Sequence, residues 1–162
     1  MSKIQKILIL VNLILVAMLL GNSVIKKERL LEDGTLILLE LAPIDPRSLI
    51  QGDYMRLRYG ISNEIDYDSI TKNGYCVISI HEDGTVKSFR IQENKVPINA
   101  GELLINYHKK AWNNINIGAE SYFFQEGEGE KYEAAKYGGV KVDGNGNSLL
   151  VGLYDEDLKL IE

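Results

Sequence analysis

A loop of charged side chains precedes the most regularly patterned strand of this sequence, and its residue types could bind a ligand. Asp45, Arg47 and Asp53 bracket the loop, and Tyr54 follows it. A guanidinium in a short loop needs an anionic partner, so we expect Arg47 to lie near a carboxylate. The candidates are Asp45 or Asp53 nearby, or Glu126 far along the chain. These five residues form the candidate binding set, a polar pocket for a ligand or a peptide terminus. The structural alternative is a turn in which an aspartate accepts backbone N–H bonds.

The segment after this loop alternates apolar and polar side chains, which predicts a strand with one buried face. One face carries Met55, Leu57, Tyr59 and Ile61, and the other carries Tyr54, Arg56 and Arg58. Leu57 and Tyr59 are therefore predicted to be core residues, and Gly52 is predicted to allow a tight entry into the strand. Tyr54 lies on the polar face beside the two arginines, so packing explains its role least.

Four glutamates are clustered further along the chain, at Glu126, Glu128, Glu130 and Glu133. Carboxylates so spaced could bind a divalent cation, but a helix N-terminus stabilised by negative charge is the more frequent arrangement. Asp143–Asn147 resembles only the beginning of a calcium loop, because Ser148 and Tyr154 stand where glycine and glutamate are needed. We therefore predict no metal site and no cofactor.

The strand and its loop resemble the signature of the GDYXXLXY family, a bacterial family named after this motif. All five named letters match, at Gly52, Asp53, Tyr54, Leu57 and Tyr59. The lead-in Asp45-Pro46-Arg47 and the later segment Ser121–Gly129 are also similar to the family pattern. The resemblance covers most of residues 30–160 and implies a membrane-anchored extracytoplasmic domain of unassigned activity. It also implies a polytopic membrane partner, since family members are commonly encoded beside one.

A membrane-bound hydrolase of the signal-peptidase type is the enzymatic alternative. Pro46–Asp53 resembles the Pro-x-Leu-x-x-Gly-Asp segment of those serine peptidases, with one extra residue between proline and leucine. Their nucleophile precedes the proline, where this chain has no serine, and Ser48 follows the proline instead. No lysine in a clear following strand stands out as the required base. We therefore assign no catalytic residue.

From Ile7 to Ile25 the chain is almost wholly apolar, which gives a helix of about 28 Å. This length is close to the hydrocarbon thickness of a bilayer and predicts a transmembrane helix. Gly21 and Ser23 have the small-residue spacing of a signal-peptide site, so cleavage after Ser23 is the alternative. The length favours an uncleaved anchor. With the family resemblance, we expect a single pass through the bacterial cytoplasmic membrane, N-in and C-out.

Charge and cysteine content limit the functions of the rest of the chain. Residues 1–29 carry a net charge of +4 and the whole chain carries −5, so residues 30–162 carry −9. An acidic domain repels phosphate backbones, which argues against nucleic-acid binding, and it is not expected to lie flat on anionic lipid. The single Cys76 falls in a strand-like run, so we predict a buried, unreactive thiol.

Turn residues predict a series of antiparallel hairpins. Asp33-Gly34, Asp83-Gly84 and Asp143-Gly144 each separate β-prone segments. Strands are predicted at Leu36–Leu41, Tyr75–Ile80, Val86–Ile91, Leu103–Tyr107, Tyr122–Phe124, Val140–Val142 and Leu149–Tyr154. Glu128–Tyr137 is the clearest predicted helix because Gly138-Gly139 would stop it, and Tyr107–Asn114 is predicted to form a further turn or two.

These observations predict two units, an anchor with its basic stub over residues 1–29 and a β-rich domain over residues 30–162. The domain is expected to be mainly antiparallel β, a sandwich or partly open barrel with one short helix. Its predicted function is non-enzymatic, as an accessory or binding domain that works with a polytopic membrane protein. A hydrolase and a cation- or small-ligand-binding domain remain the alternatives.

Overall fold

One long helix, α1 (Lys3–Asp33), begins the fold. The structure, a computed structural model, describes residues 2–42, 54–110, 114–125 and 127–162. The Ser2 hydroxyl accepts the Gln5 N–H and the Gln5 side chain accepts the Ser2 N–H, a capping box that starts the helix. α1 is long and apolar enough to cross a membrane, and its most apolar stretch, with a mean hydropathy of 2.5, is not buried in the structure. It is a candidate membrane span.

The helix passes directly into the first strand through Gly34, so the hairpin turn predicted at Asp33-Gly34 is wrong. The Gly34 N–H donates to the Leu30 carbonyl at 3.1 Å, and a Cβ on Gly34 would lie 2.3 Å from that oxygen. Only glycine fits this close approach. Leu30 is buried, and the Lys141 ammonium donates to the Leu31 carbonyl. These contacts join the end of α1 to the β structure.

The described residues contain nine strands in three antiparallel sheets. The strands are β1 (Thr35–Glu40), β2 (Tyr54–Arg56), β3 (Asn73–Ile80), β4 (Val86–Gln92), β5 (Glu102–Lys110), β6 (Asn114–Asn116), β7 (Ser121–Phe123), β8 (Tyr137–Val142) and β9 (Ser148–Tyr154). The sheet orders are β1-β8-β9, β2-β7 and β4-β3-β5-β6. The mainly antiparallel β class is confirmed, and so are the hairpins at Asp83-Gly84 and Asp143-Gly144.

Helical structure after α1 is limited to short turns in the described part of the chain. These are α2 (Ile61–Glu64) and two 3-10 turns, Tyr67–Ser69 and Gly129–Tyr132. The predicted helix Glu128–Tyr137 is wrong, because only one turn forms and Tyr137 already begins β8. The turns predicted over Tyr107–Asn114 are wrong as far as Lys110, since β5 continues to that residue in register with its neighbours, and residues 111–113 lie outside the described residues. In both places cross-strand pairing outweighs local helix propensity.

A core of apolar side chains lies between the sheets. Its fully buried members include Ile37, Leu39, Leu57, Ile78, Ile105, Val140 and Leu153. Cys76 is buried with them, as predicted. Burial raises the pKa of its thiol to about 12, so the thiol is protonated and unreactive at neutral pH.

Candidate functional site

The strand that carries the Gly-Asp-Tyr motif and the later aromatic segment lie side by side as a two-stranded ribbon, the β2–β7 ribbon. The register pairs Tyr54 with Phe123, Met55 with Tyr122 and Arg56 with Ser121. The pairing extends beyond β2, because the Leu57 N–H donates to the Glu120 carbonyl at 2.8 Å. Two segments about 70 residues apart in the sequence thus form one surface.

Two motif residues fasten the inner side of the ribbon to the core. Leu57 and Tyr59 are each 2% exposed, on the face that the alternation predicted. The Tyr59 hydroxyl donates to the Ala119 carbonyl, and its ring lies against Gly138, where a Cβ would come within 2.9 Å of Cε1. Burial, and then the Glu120 carboxylate, raise the pKa of the Tyr59 hydroxyl far above its ordinary value. Tyr59 is therefore a neutral residue that links three segments of the chain.

Glu120 holds the turn that leads into β7. Its partly buried side chain accepts the Ile117 N–H. Burial raises the pKa of its carboxyl, while the hydrogen bond from Ile117 and the nearby Lys110 act in the opposite direction. Through its side chain and its backbone carbonyl, Glu120 fixes both the turn and the entry to the β2–β7 ribbon.

The outer face of the ribbon combines two arginines with an aromatic ring. Arg56 and Arg58 are exposed, and neither forms an ion pair with another described residue. Phe123 is 73% exposed. Tyr54 stands opposite Phe123 in the register, although only the backbone of Tyr54 is described. A cationic and aromatic face therefore interrupts the surface of a domain whose net charge is −9.

An aromatic cluster and a cleft lie behind the ribbon. The Tyr122 and Phe124 rings pack against Tyr132, with centroid distances of 5.1 and 5.6 Å. Burial, and then a hydrogen bond with Tyr132, raise the pKa of the Tyr122 hydroxyl to about 12. The cleft has a volume of about 390 Å³, and its lining includes Leu41, Ala42, Met55, Leu57 and Tyr132–Lys136. Glu40 also lines the cleft, so apolar and charged side chains share its walls.

Most of the predicted binding set lies outside the described residues. These residues are Asp45, Arg47, Asp53 and Glu126, and Gly52, the motif residue predicted to be structural, also lies outside the described residues. The pairing of Arg47 with a carboxylate therefore stays a prediction. Ser48 also lies outside the described residues, so the structure does not test the hydrolase alternative. The structure does bring together β2, which begins at Tyr54, and β7, which ends three residues before Glu126.

Two features of this surface were not predicted from the sequence. The pairing of β2 with β7 joins distant segments, and neither segment alone carries a signal for its partner. The exposure of Phe123 had a signal, since a two-residue period over Ser121–Gln125 places this ring outward. Within the described residues, no group of three or more histidine, cysteine, aspartate or glutamate side chains is placed to hold a metal ion.

Comparisons with known proteins bear on the same two segments. The family model described as GDYXXLXY protein matches residues 16–153 of the chain. The match begins within α1 and ends within β9, so it includes both strands of the ribbon. No curated protein and no solved structure matches the chain.

Proposed function

This chain belongs to the GDYXXLXY family, and we propose that it is a non-enzymatic accessory protein anchored in the bacterial cytoplasmic membrane. Its extracytoplasmic domain binds a polytopic protein of the same membrane. In this proposal α1 stays attached as a single-pass anchor with its N-terminus inside. The anchor keeps the β domain at the membrane surface, where the exposed loops of a membrane protein are within reach.

The observation that supports binding is the outer face of the β2–β7 ribbon. Arg56, Arg58 and Phe123 are all exposed there. Arginine and aromatic residues are enriched at protein interfaces, because each offers a large contact area and specific geometry. The inner side of the same ribbon is fixed by Leu57 and Tyr59, so the outer face is held on a rigid support.

The chemistry of this face favours a partner segment that is acidic and partly apolar. The guanidinium groups of Arg56 and Arg58 have no ion-pair partner among the described residues. Each of them can donate two parallel hydrogen bonds to a carboxylate of a partner. Phe123 adds apolar contact area beside them. The cleft of about 390 Å³ behind the ribbon, lined by apolar and charged side chains, adds a second contact surface. An acidic extracytoplasmic loop with one or two apolar side chains matches these features.

Co-purification from detergent-solubilised membranes tests this proposal. We expect the tagged full-length chain to recover one polytopic membrane protein in stoichiometric amount. Arg56→Glu combined with Arg58→Glu should lower the recovery at least about tenfold, since each reversal turns an attractive pair into a repulsive one. Lys87→Glu on β4 is the control, because it reverses a charge at another exposed position. The proposal would be contradicted if the unaltered chain, the double variant and the control variant recovered equal amounts of the membrane protein, or if none of them recovered one.

A further inference from the structure

The connection between β4 and β5 presents two apolar side chains to solvent. Val96 is 71% exposed and Ile98 is 39% exposed. They flank Pro97, so three successive apolar residues form a tip, here called the Val96–Ile98 tip. A single exposed apolar residue is ordinary on a protein surface. Here two such side chains share one tip, and the tip is held in place by several hydrogen bonds.

A cluster of polar side chains fixes this tip to the sheet. Arg90 on β4 and Glu102 on β5 form a bidentate pair, with Nη2 and Oε2 at 2.9 Å. Arg90 Nη2 also donates to the Pro97 carbonyl at 3.1 Å. The backbone N–H and the side-chain amide of Asn99 donate to Glu102, at 2.8 and 3.1 Å. Charge-assisted hydrogen bonds therefore hold the middle of the tip, at Pro97, and the residue that follows it, Asn99.

Ile98, the last residue of the tip, lines an open groove of about 1210 Å³ beside the part of α1 that continues beyond the apolar segment. The lining also includes α1 residues from Ser23 to Asp33, the first residues of β5 and the β8–β9 turn. Ile25 ends the apolar segment, so the groove begins where α1 leaves the hydrocarbon. The helix from Ser23 to Asp33 rises only about 15 Å. Ile98 therefore lies on the side of the domain next to this short stretch of α1.

Three basic side chains, Lys26, Lys27 and Arg29, line the same groove on the helix side, and the carboxylates of Asp33, Glu102 and Asp143 also line it. Lys95, next to the tip, donates from Nζ to the Asn145 side chain at 3.3 Å, and Asn145 also lines the groove. Cations next to exposed apolar side chains match the lipid interface, where phosphate groups lie beside acyl chains. The acidic domain as a whole does not lie flat on anionic lipid, so contact is confined to this tip.

We propose that the Val96–Ile98 tip inserts into the lipid interface of the membrane that holds α1, as a second attachment point of the domain. This inference rests on the proposed membrane anchor. The second attachment limits rotation of the domain about the end of α1. The β2–β7 ribbon is then presented in a fixed direction relative to the membrane plane.

Fluorescence in lipid vesicles tests this contact. The full-length chain with Val96→Cys, labelled with a polarity-sensitive fluorophore, is reconstituted in vesicles of phosphatidylethanolamine and phosphatidylglycerol. Lys87→Cys, labelled in the same way, is the control at an exposed position of β4, and the buried Cys76 is shielded from the label. We expect the position-96 label to shift to shorter wavelength and to be quenched by brominated lipid. The position-87 label should show neither effect. Adding Ile98→Asp should reduce the quenching at position 96, and Ile98→Leu should preserve it.

Three outcomes would overturn the proposal. The first is that the labels at positions 96 and 87 are equally exposed to water in chains that still float with the vesicles. This result would rule out the tip contact but not the anchor. The second is loss of flotation, which removes the anchor and the contact together. The third is a position-96 label that becomes buried only after the co-purified membrane protein is added, which makes the tip a protein-binding surface. Loss of partner binding by the Arg56 and Arg58 variants is measured separately, so failure of the proposed function is distinguishable from failure of the tip.

Discussion

Tyr59 connects three parts of the domain through one side chain. Its hydroxyl donates to the Ala119 carbonyl just before β7, and its ring lies on Gly138 in β8. The side chain is 2% exposed, so both contacts are shielded from water. The final tyrosine of the motif thus has a packing role.

Replacing Tyr59 with phenylalanine removes only the hydroxyl and leaves the Ala119 carbonyl buried without this donor. We expect Tyr59→Phe to lower the free energy of unfolding by about 1–3 kcal/mol, the usual cost of an unsatisfied buried group. Tyr75→Phe is the control, because the half-buried Tyr75 hydroxyl makes no hydrogen bond in the described structure. Chemical denaturation of the full chain in detergent measures both. Equal stability of the two variants would show that the Tyr59 hydroxyl contributes nothing.

The two faces of the motif strand should respond differently to truncation. Leu57→Ala leaves a cavity among fully buried side chains and should lower the free energy of unfolding by about 2–5 kcal/mol. Arg56→Ala, on the exposed face of the same strand, should change it by no more than about 0.5 kcal/mol and should instead weaken partner binding. Thermal melts and co-purification of the same two variants check this division. A larger loss of stability from Arg56→Ala would reverse the assignment of the faces.

The connection between β4 and β5 is held in place by one ionised carboxylate, that of Glu102. Hydrogen bonds from Arg90, and then from Asn99, lower the pKa of Glu102 to about 2 from an ordinary value of 4.5. The unfolded chain takes up this proton before the folded chain does. The stability that Glu102 contributes is therefore fully present above pH 4.5 and is lost as the pH falls towards about 2.

This dependence can be measured by comparing the full chain with Glu102→Gln. We expect the variant to melt at a lower temperature at neutral pH, and the difference in melting temperature to shrink as the pH falls below 4.5. Other carboxylates titrate in both proteins, so the difference between the two isolates Glu102. A difference that stays constant down to about pH 2 would mean that the Glu102 pKa is not lowered by folding.

Elements with local signals were predictable from the sequence, and elements set by distant contacts were not. The Asp83-Gly84 turn between two β-prone runs correctly predicted the pairing of β3 with β4. Gly138-Gly139 misled the helix prediction, because these glycines lie inside β8 and make room for aromatic rings. A Cβ on Gly139 would lie 2.3 Å from Tyr154 Cε2. The sequence pattern shows two glycines but not the ring that requires them.

The same distinction holds for the candidate site. Strand alternation alone placed Arg56 and Arg58 outward and Leu57 inward, which agrees with their burial. It could not place β7 beside β2, because that pairing closes a long loop and depends on the packing of Tyr59 and Tyr122.

For the whole molecule, the proposed function requires α1 to remain attached. The helix runs without interruption from Lys3 to Asp33, and a signal-peptidase cut after Ser23 would separate its apolar part from the domain. We expect protein isolated from membranes to retain this segment, which an intact-mass measurement checks directly. A mature chain that begins at Val24 would remove the anchor, and with it the tip contact and the membrane location.

The central claim is that the outer face of the β2–β7 ribbon binds a polytopic membrane protein. Site-specific photo-cross-linking in cells tests it most directly, because a photoreactive phenylalanine analogue can replace the exposed Phe123 with little change in shape. The same analogue at Lys87, an exposed position of β4, is the control. We predict one adduct from position 123, containing a polytopic membrane protein, which disappears when Arg56→Glu is added. No adduct above the level seen from position 87, or an adduct that survives Arg56→Glu unchanged, would contradict the claim.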